Sequence, residues 1–410
     1  DEEVVRYNTM GQEEVLAAKK VVESGVLSQY LGEWDPDFFG GPMVKEFENR
    51  WSDFFGVKHS VSVNSCTSGL MVALGAIGLE PGDEVIVSTW TMTATATSIL
   101  VWNAIPVFAD IEDETFNLDP ASIEENITPY TKAIVVTNIF GHAAKLNEIM
   151  SIAKEHNLMV IEDNAQAPGA FYHGKYTGSV SDIGVFSLNY HKHIHTGEGG
   201  VCVTDDDELA ERMQLIRNHG EAVVEEKGVT NLVNMIGYNF RMGEIEAAIG
   251  IEQLKKLPAL IDEKVEWAGI LNEGLEGLDG LRTPVVRKHC THVYYGYPLL
   301  VDETVTGVSR DRLFEALVAE GVPALAKQFT IIHLLPLYQK KVAYGSNGFP
   351  WNMELYKGNV SYQKGICPVA ENMISRYYMN IGISLFKFDN NKLQMINNAF
   401  QKIWNNLENL

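Results

Sequence analysis

The sequence predicts an α/β fold: a mostly parallel sheet covered by helices on both faces, followed by a smaller C-terminal α+β domain. Three observations predict it. From residue 60 to about 204, short apolar runs alternate with segments of helical period, the pattern of strands joined by crossover helices. Runs such as Leu158-Met159-Val160-Ile161 are apolar at consecutive positions, as strands buried on both faces are. Beyond about residue 258 the alternation stops, and a strand-like run, a helix and a final helix remain.

Taken in order, residues 12–23 and 43–55 read as helices leading into the sheet. Residues 60–63 alternate β-branched and small residues, and Leu70, Ala73, Leu74 and Ile77 then repeat at helical spacing. There follow strand 84–87, helix 93–102, strand 106–108, helix 121–125, strand 133–136, helix 146–155, and strands 158–161, 183–186 and 200–203. Segments 207–219 and 243–257 have helical period, with a polar, glycine-containing connection at 221–234. A separate long helix at 258–275 joins the C-terminal domain, which holds a strand over 292–300 and helices at 309–320 and 390–407. Pro258 places the domain division there: 1–257 for the large domain and its lead-in, 258–410 for the small one. The stretch 326–368 carries Pro, Gly and aromatics without a period, and long loops of that kind are often functional.

The chain has 410 residues, and 32 basic against 54 acidic side chains leave a net charge of −22. So acidic a chain is a poor binder of nucleic acid or of anionic membranes. Cys66, Cys202, Cys290 and Cys367 form no Cys-x-x-Cys pair, which fits free thiols in a reducing compartment. No apolar run approaches the ~20 residues that cross a bilayer. The first residues, Asp1-Glu2-Glu3, lack a signal-peptide core, so a cytoplasmic location is expected.

The most informative string runs from Ser187 through Lys192 to Gly197-Glu198-Gly199-Gly200, directly after the apolar run 183–186. A hydroxyl, a lysine and a tight turn beyond one strand end suit a carbonyl cofactor, because lysine condenses reversibly with a carbonyl. Pyridoxal 5'-phosphate (PLP) is the best candidate. Its ring acts as an electron sink while its nitrogen stays protonated, and a facing aspartate keeps that proton in place. Asp163, at the end of run 158–161, suits this role. In extended chain Ala165 shares its side and is small enough to pack flat on a ring, and Gln166 can donate to the phenolic oxygen. Cys66 and Thr67 open the helix after strand 60–63, and free amides at a helix N-terminus bind phosphate. All three motifs fall at carboxyl ends of strands, where open α/β sheets bind ligands.

These motifs, in this order, resemble the DegT/DnrJ/EryC1/StrS family of PLP-dependent sugar aminotransferases, from about Gly11 to the C-terminal region. The family's serine five residues before the lysine and its Gly-Glu-Gly-Gly turn are matched by Ser187, Lys192 and Gly197 to Gly200. Its Glu-Asp-x-Ala-Gln/His-Ala segment is matched by Glu162 to Ala167. Gly237-Tyr238-Asn239-Phe240-Arg241-Met242 is similar to a family run whose asparagine reaches the neighbouring subunit's phosphate. Pro81 to Val87 and Thr128 to Ile134 are further family-like runs. The phosphate turn departs from the family at Cys66, which replaces a glycine. The family's ring-stacking aromatic falls by register on Met92, with Trp90 nearby; either is left open as the group over the ring. The loop at 28–42, rich in aromatics, either shapes the substrate pocket or is a surface excursion.

The resemblance implies a fold-type I PLP transferase, with a mostly parallel seven-stranded sheet between helices and a smaller C-terminal domain. It implies transfer of an amino group from glutamate or glutamine to a keto-sugar, nucleotide-linked by family frequency, in a homodimer that shares active sites through Asn239. The alternatives are a glutamine-dependent keto-inositol (cyclitol) aminotransferase, a PLP-dependent sugar dehydratase, and a non-catalytic regulatory homologue. Dehydratases of the family carry histidine where this chain has Lys192, and retention of Lys192, Asp163 and Ser187 together disfavours a sensor. The alternating His191, His193 and His195 lack a carboxylate or cysteine at ligand spacing, so hydrogen bonding is expected of them rather than metal. No Gly-x-Gly-x-x-Gly register and no Walker loop is present.

Overall fold

The computed structural model describes residues 5–410. Seven strands form the large sheet: β1 (His59–Val63), β2 (Glu84–Ser88), β3 (Ile105–Ala109), β4 (Thr131–Thr137), β5 (Met159–Asp163), β6 (Ile183–Ser187) and β7 (Gly200–Thr204). Their order is β1-β7-β6-β5-β4-β2-β3. The pairs β6–β5, β5–β4, β4–β2 and β2–β3 are parallel, while β7 runs antiparallel to both its neighbours. Both faces are covered. Val185 and Cys202 pack into one core, and their neighbours Phe186, Val201 and Val203 into another on the opposite face, with Phe47 and Trp51 of the helix Pro42–Phe55. This is why these strands are apolar without alternation.

The two helices expected at 243–257 and 258–275 are one 32-residue helix, Glu244–Leu275, with Pro258 inside it. An internal proline costs a helix about 3 kcal/mol. Buried residues on both sides of it, Ile251 and Leu254 before, Trp267 and Leu271 after, hold the helix continuous. The cores divide along it, Leu257 packing with the large sheet's face and Trp267 with the C-terminal core. The 257/258 division therefore falls inside a helix. The start of the described chain also crosses over: Tyr7 meets Trp267 edge-on at 5.8 Å, and its N–H donates to Leu385 O at 3.0 Å.

The C-terminal sheet has four strands, β8 (Leu281–Arg282), β9 (Tyr297–Val301), β10 (Leu325–Ala326) and β11 (Tyr378–Ile381), in the order β8-β9-β11-β10. The strand expected over 292–300 is thus shorter at its start. His292 forms only a bridge to His142, and Tyr294 has φ +51°, which ends extended pairing there. Residues 326–368 are mostly irregular and wrap the β3 edge of the large sheet. Tyr362 donates to Pro106 O at 2.7 Å, and Tyr356 donates to Glu84 at 2.7 Å. An open edge is thereby covered. The loop at 28–42 packs down: Phe38 is fully buried against Trp34 and Phe39. That favours the surface excursion over a pocket wall.

Candidate active site

Strand register gathers the sequence motifs into one row. Val63 at the end of β1 opposes Gly200, and Gly200 opposes Ser187 at the end of β6. Asp163 at the end of β5 opposes Val185 on one side and Thr137 on the other. Three carboxyl ends and the start of the antiparallel β7 therefore meet.

At β1 the helix Cys66–Ala76 begins. Ser65 caps it, accepting from Ser68 N–H at 3.0 Å, and the Ser68 hydroxyl donates to Asn64 at 2.6 Å. The first amides of the helix, on Cys66 and Thr67, have no intrahelical acceptor and stay available to an anion. Burial, and then the nearby Asp163 carboxylate, push the Cys66 thiol well above its ordinary value, so it stays neutral beside them. Gly200 makes this turn possible. A Cβ there would stand 2.8 Å from both Cys66 N and Ser65 C. Gly200→Ala should displace the turn, at about 1–3 kcal/mol. Its check is binding of inorganic phosphate to the cofactor-free protein, expected to weaken about tenfold or more.

Asp163 is 3 % exposed and forms no ion pair among the described residues. Burial holds its carboxyl above the ordinary range, against the Thr95 hydroxyl, the Ala165 N–H and the Lys192 charge, which favour the anion. Thr95 donates to Asp163 at 2.7 Å and Ala165 N–H at 3.2 Å. Thr91 links Thr95 (3.2 Å) to Thr137 (3.0 Å), so a line of buried hydroxyls ends on the carboxylate. Two residues on, Ala165 is half-buried. Gln166 Oε1 accepts from Phe140 N–H at 2.8 Å, which fixes the amide and leaves its N–H₂ to donate elsewhere.

Glu162, beside Asp163 in the sequence, does different work. It is fully buried and accepts from the N–H groups of Gly178, Val180 and Ser181 at 2.7, 3.0 and 3.0 Å and from Asn138 Nδ2 at 2.8 Å. It pins the 178–181 turn under the sheet's end. Glu162→Leu strands four donors, and urea unfolding should lose about 3 kcal/mol or more.

Lys192 lies in the loop after β6. Its N–H donates to Asn189 O at 2.9 Å, and Ser187 Oγ accepts from Asn189 N–H at 3.3 Å. The Lys192 ammonium stands 4.3 Å from the centre of the Tyr295 ring, a contact that sequence spacing did not suggest. The three alternating imidazoles differ in burial. His193 is fully buried with Nε2 2.7 Å from Val293 O, and burial pushes its pKa down to about 3. His191 is half-buried, and burial with the Lys192 charge pushes it down to about 4. Both are neutral at pH 7.

Trp90 does not reach this space. It has no exposed surface, its ring stacks on Phe329 at 4.6 Å and it meets Tyr378 edge-on at 5.0 Å. Of the two residues left open for ring stacking, Trp90 is withdrawn by its burial; Met92, 64 % exposed at the start of the helix Thr93–Val101, remains. Asn239 is exposed, and its Oδ1 accepts from Arg241 at 2.8 Å, leaving its amide N–H₂ outward. The next residue is tied to the phosphate turn of its own chain, since Asn64 N–H donates to Phe240 O at 2.8 Å. Thr95 and Tyr295 are the residues the sequence reading missed. Thr95 had one signal, its position four residues after Thr91 at the start of a helix; Tyr295 had none.

Comparison with known proteins places the chain in a family. A model described as the DegT/DnrJ/EryC1/StrS aminotransferase family matches residues 28–376. The spore coat polysaccharide biosynthesis protein SpsC of Bacillus subtilis is 37% identical over 86% of this chain and 89% of its own. GDP-perosamine synthase of Caulobacter vibrioides is 38% identical over 73% of this chain and 79% of its own. Among solved structures, an aminotransferase from Psychrobacter cryohalolentis superposes with a TM-score of 0.82 at 27% identity, covering 99% of this chain and 100% of that one.

Proposed function

Because this chain belongs to the DegT/DnrJ/EryC1/StrS aminotransferase family, we propose that it moves an amino group from glutamate or glutamine to a nucleotide-linked keto-sugar, with Lys192 and Asp163 as its catalytic residues. That it is a PLP-dependent aminotransferase follows from the family. The observation that carries the assignment of residues is the buried Asp163, which forms no ion pair among the described residues and lies on the same row of strand ends as Ser187 and the phosphate turn. A keto-sugar acceptor is supported by relatives named for perosamine and polysaccharide synthesis.

When bound, PLP supplies an aldehyde that takes up the amino group and a ring that spreads the electron pair left on a deprotonated carbon. The residues fit it. The Cys66 and Thr67 amides and Ser187 Oγ hold the phosphate. Asp163 holds a proton on the ring nitrogen, and Thr95 keeps that carboxylate turned toward it. Ala165 and Met92 would bracket the ring, and Gln166 would donate to the phenolic oxygen. Lys192 Nζ would anchor the cofactor covalently and, once the donor's amine has displaced it, would carry a proton from the donor's α-carbon to the cofactor carbon that bears the nitrogen.

A second copy completes the site. Asn239 presents its free amide outward, and Leu232 and Ile236 just before it are exposed, as are Val15, Leu16 and Val22 on the helix Gln12–Ser24. Such apolar exposure suits a homodimer. No described helix is long and apolar enough to cross a membrane, and a cytoplasmic site of action fits a nucleotide-linked substrate.

The test is optical. The purified protein should absorb as bound PLP, lose that band on adding glutamate or glutamine, and regain it with a keto-sugar acceptor. Keto-inositols form the second arm of the acceptor screen. A band unmoved by either donor would overturn the reading.

A further inference from the structure

We propose that Arg6 and the pocket it shares with Lys192 form the subsite for the amino donor's carboxylate, and that this pocket does not hold the acceptor's diphosphate. The inference rests on the aminotransferase reading and names where one of its substrates is gripped.

The pocket lies beside the lysine. Arg6, Tyr190, His191, Lys192, His195 and Ser384 line it, and no carboxylate does among the described residues. In a chain of net charge −22 that is a local inversion. Its free cation in the holoenzyme is the Arg6 guanidinium, since Lys192 would be joined to the cofactor; His191 is neutral and contributes a ring nitrogen as a hydrogen-bonding group.

Arg6 is held in place by backbone. It bridges to Phe386, with Tyr7 N–H donating to Leu385 O and Lys387 N–H to Val5 O, both at 3.0 Å. Its guanidinium stands 6.0 Å from the centre of the Tyr190 ring. The far wall is tied to the lysine, because Ser384 Oγ donates at 2.5 Å to the carbonyl of Tyr295, whose ring carries the Lys192 ammonium.

Size selects the ligand. The pocket holds about 120 Å³, well below the roughly 300 Å³ at which sites for drug-sized ligands begin. A carboxylate and its short chain suit that volume; a nucleoside diphosphate does not. Arg310 of the C-terminal domain is already committed. It donates to the carbonyls of Tyr378, Ile374 and Ser375 and pairs with Asp311. A fork of guanidinium donors is the group that grips a carboxylate in a fixed orientation.

The experiment uses the holoenzyme with glutarate, an unreactive dicarboxylate, and UDP as separate probes. Arg6→Gln should weaken glutarate binding and raise the glutamate or glutamine concentration for half-maximal bleaching by about 10- to 100-fold. Arg6→Lys should recover part of the loss, and UDP affinity should not move. As a check without any variant, glutarate but not UDP should slow phenylglyoxal modification of Arg6. Unchanged glutarate affinity in Arg6→Gln, or protection by UDP instead, overturns the proposal. Failure of the wider reading looks different: the wild-type band would then not bleach with either donor.

Discussion

Lys192→Ala lowers transamination by about 10,000-fold, the upper range for loss of a positioned group that moves a proton in the transition state. The fold survives the change. The side chain is only partly buried and forms no ion pair among the described residues, and its recorded contact is the face of Tyr295. The variant should therefore unfold at the wild-type urea midpoint while its cofactor becomes removable by dialysis. Small external amines should restore a fraction of the rate, since the missing group is an amine in a pocket of fixed shape. Wild-type-like turnover without such amines would remove the lysine from the mechanism.

Asp163→Ala is the second large effect. The carboxylate is buried, its ionised form is supported by Thr95, the Ala165 N–H and the nearby Lys192 charge, and it forms no ion pair among the described residues. Removing one partner from a buried charge pair costs about 3 kcal/mol or more, which is about a hundredfold or more in rate. Cofactor occupancy should fall much less, because the phosphate turn and Lys192 are untouched. Comparing the rate with bound cofactor per subunit in the same sample checks both halves. An unchanged rate would reject the role of the ring nitrogen's proton.

Much of this site was legible in the sequence because strand ends are. Each motif followed a strand-like run, and strands of one direction place their carboxyl ends on one edge, so Ser187, Asp163 and Cys66 had to converge. What escaped was contact between elements. Thr95 meets Asp163 from a helix 68 residues earlier, and Tyr295 comes from a bend after the long helix, where the pattern suggested plain strand. Pro258 misled for a related reason. Local preference ends a helix there, but the two cores gripping Leu257 and Trp267 outweigh it. Trp90 was equally out of reach. Its position beside Met92 left both open, and only packing against Phe329 and Tyr378 buries it. Glu162 and Asp163 show the limit most clearly: adjacent acids, one pinning a turn by three hydrogen bonds with a fourth from Asn138, the other in no ion pair among the described residues.

The covalent anchor is the claim on which the rest stands. Borohydride reduction of the native protein, followed by peptide mapping, reads it directly. The account predicts one pyridoxyl group per chain, on the peptide carrying Lys192. A label on another lysine, or an unlabelled chain that still transaminates, would contradict it.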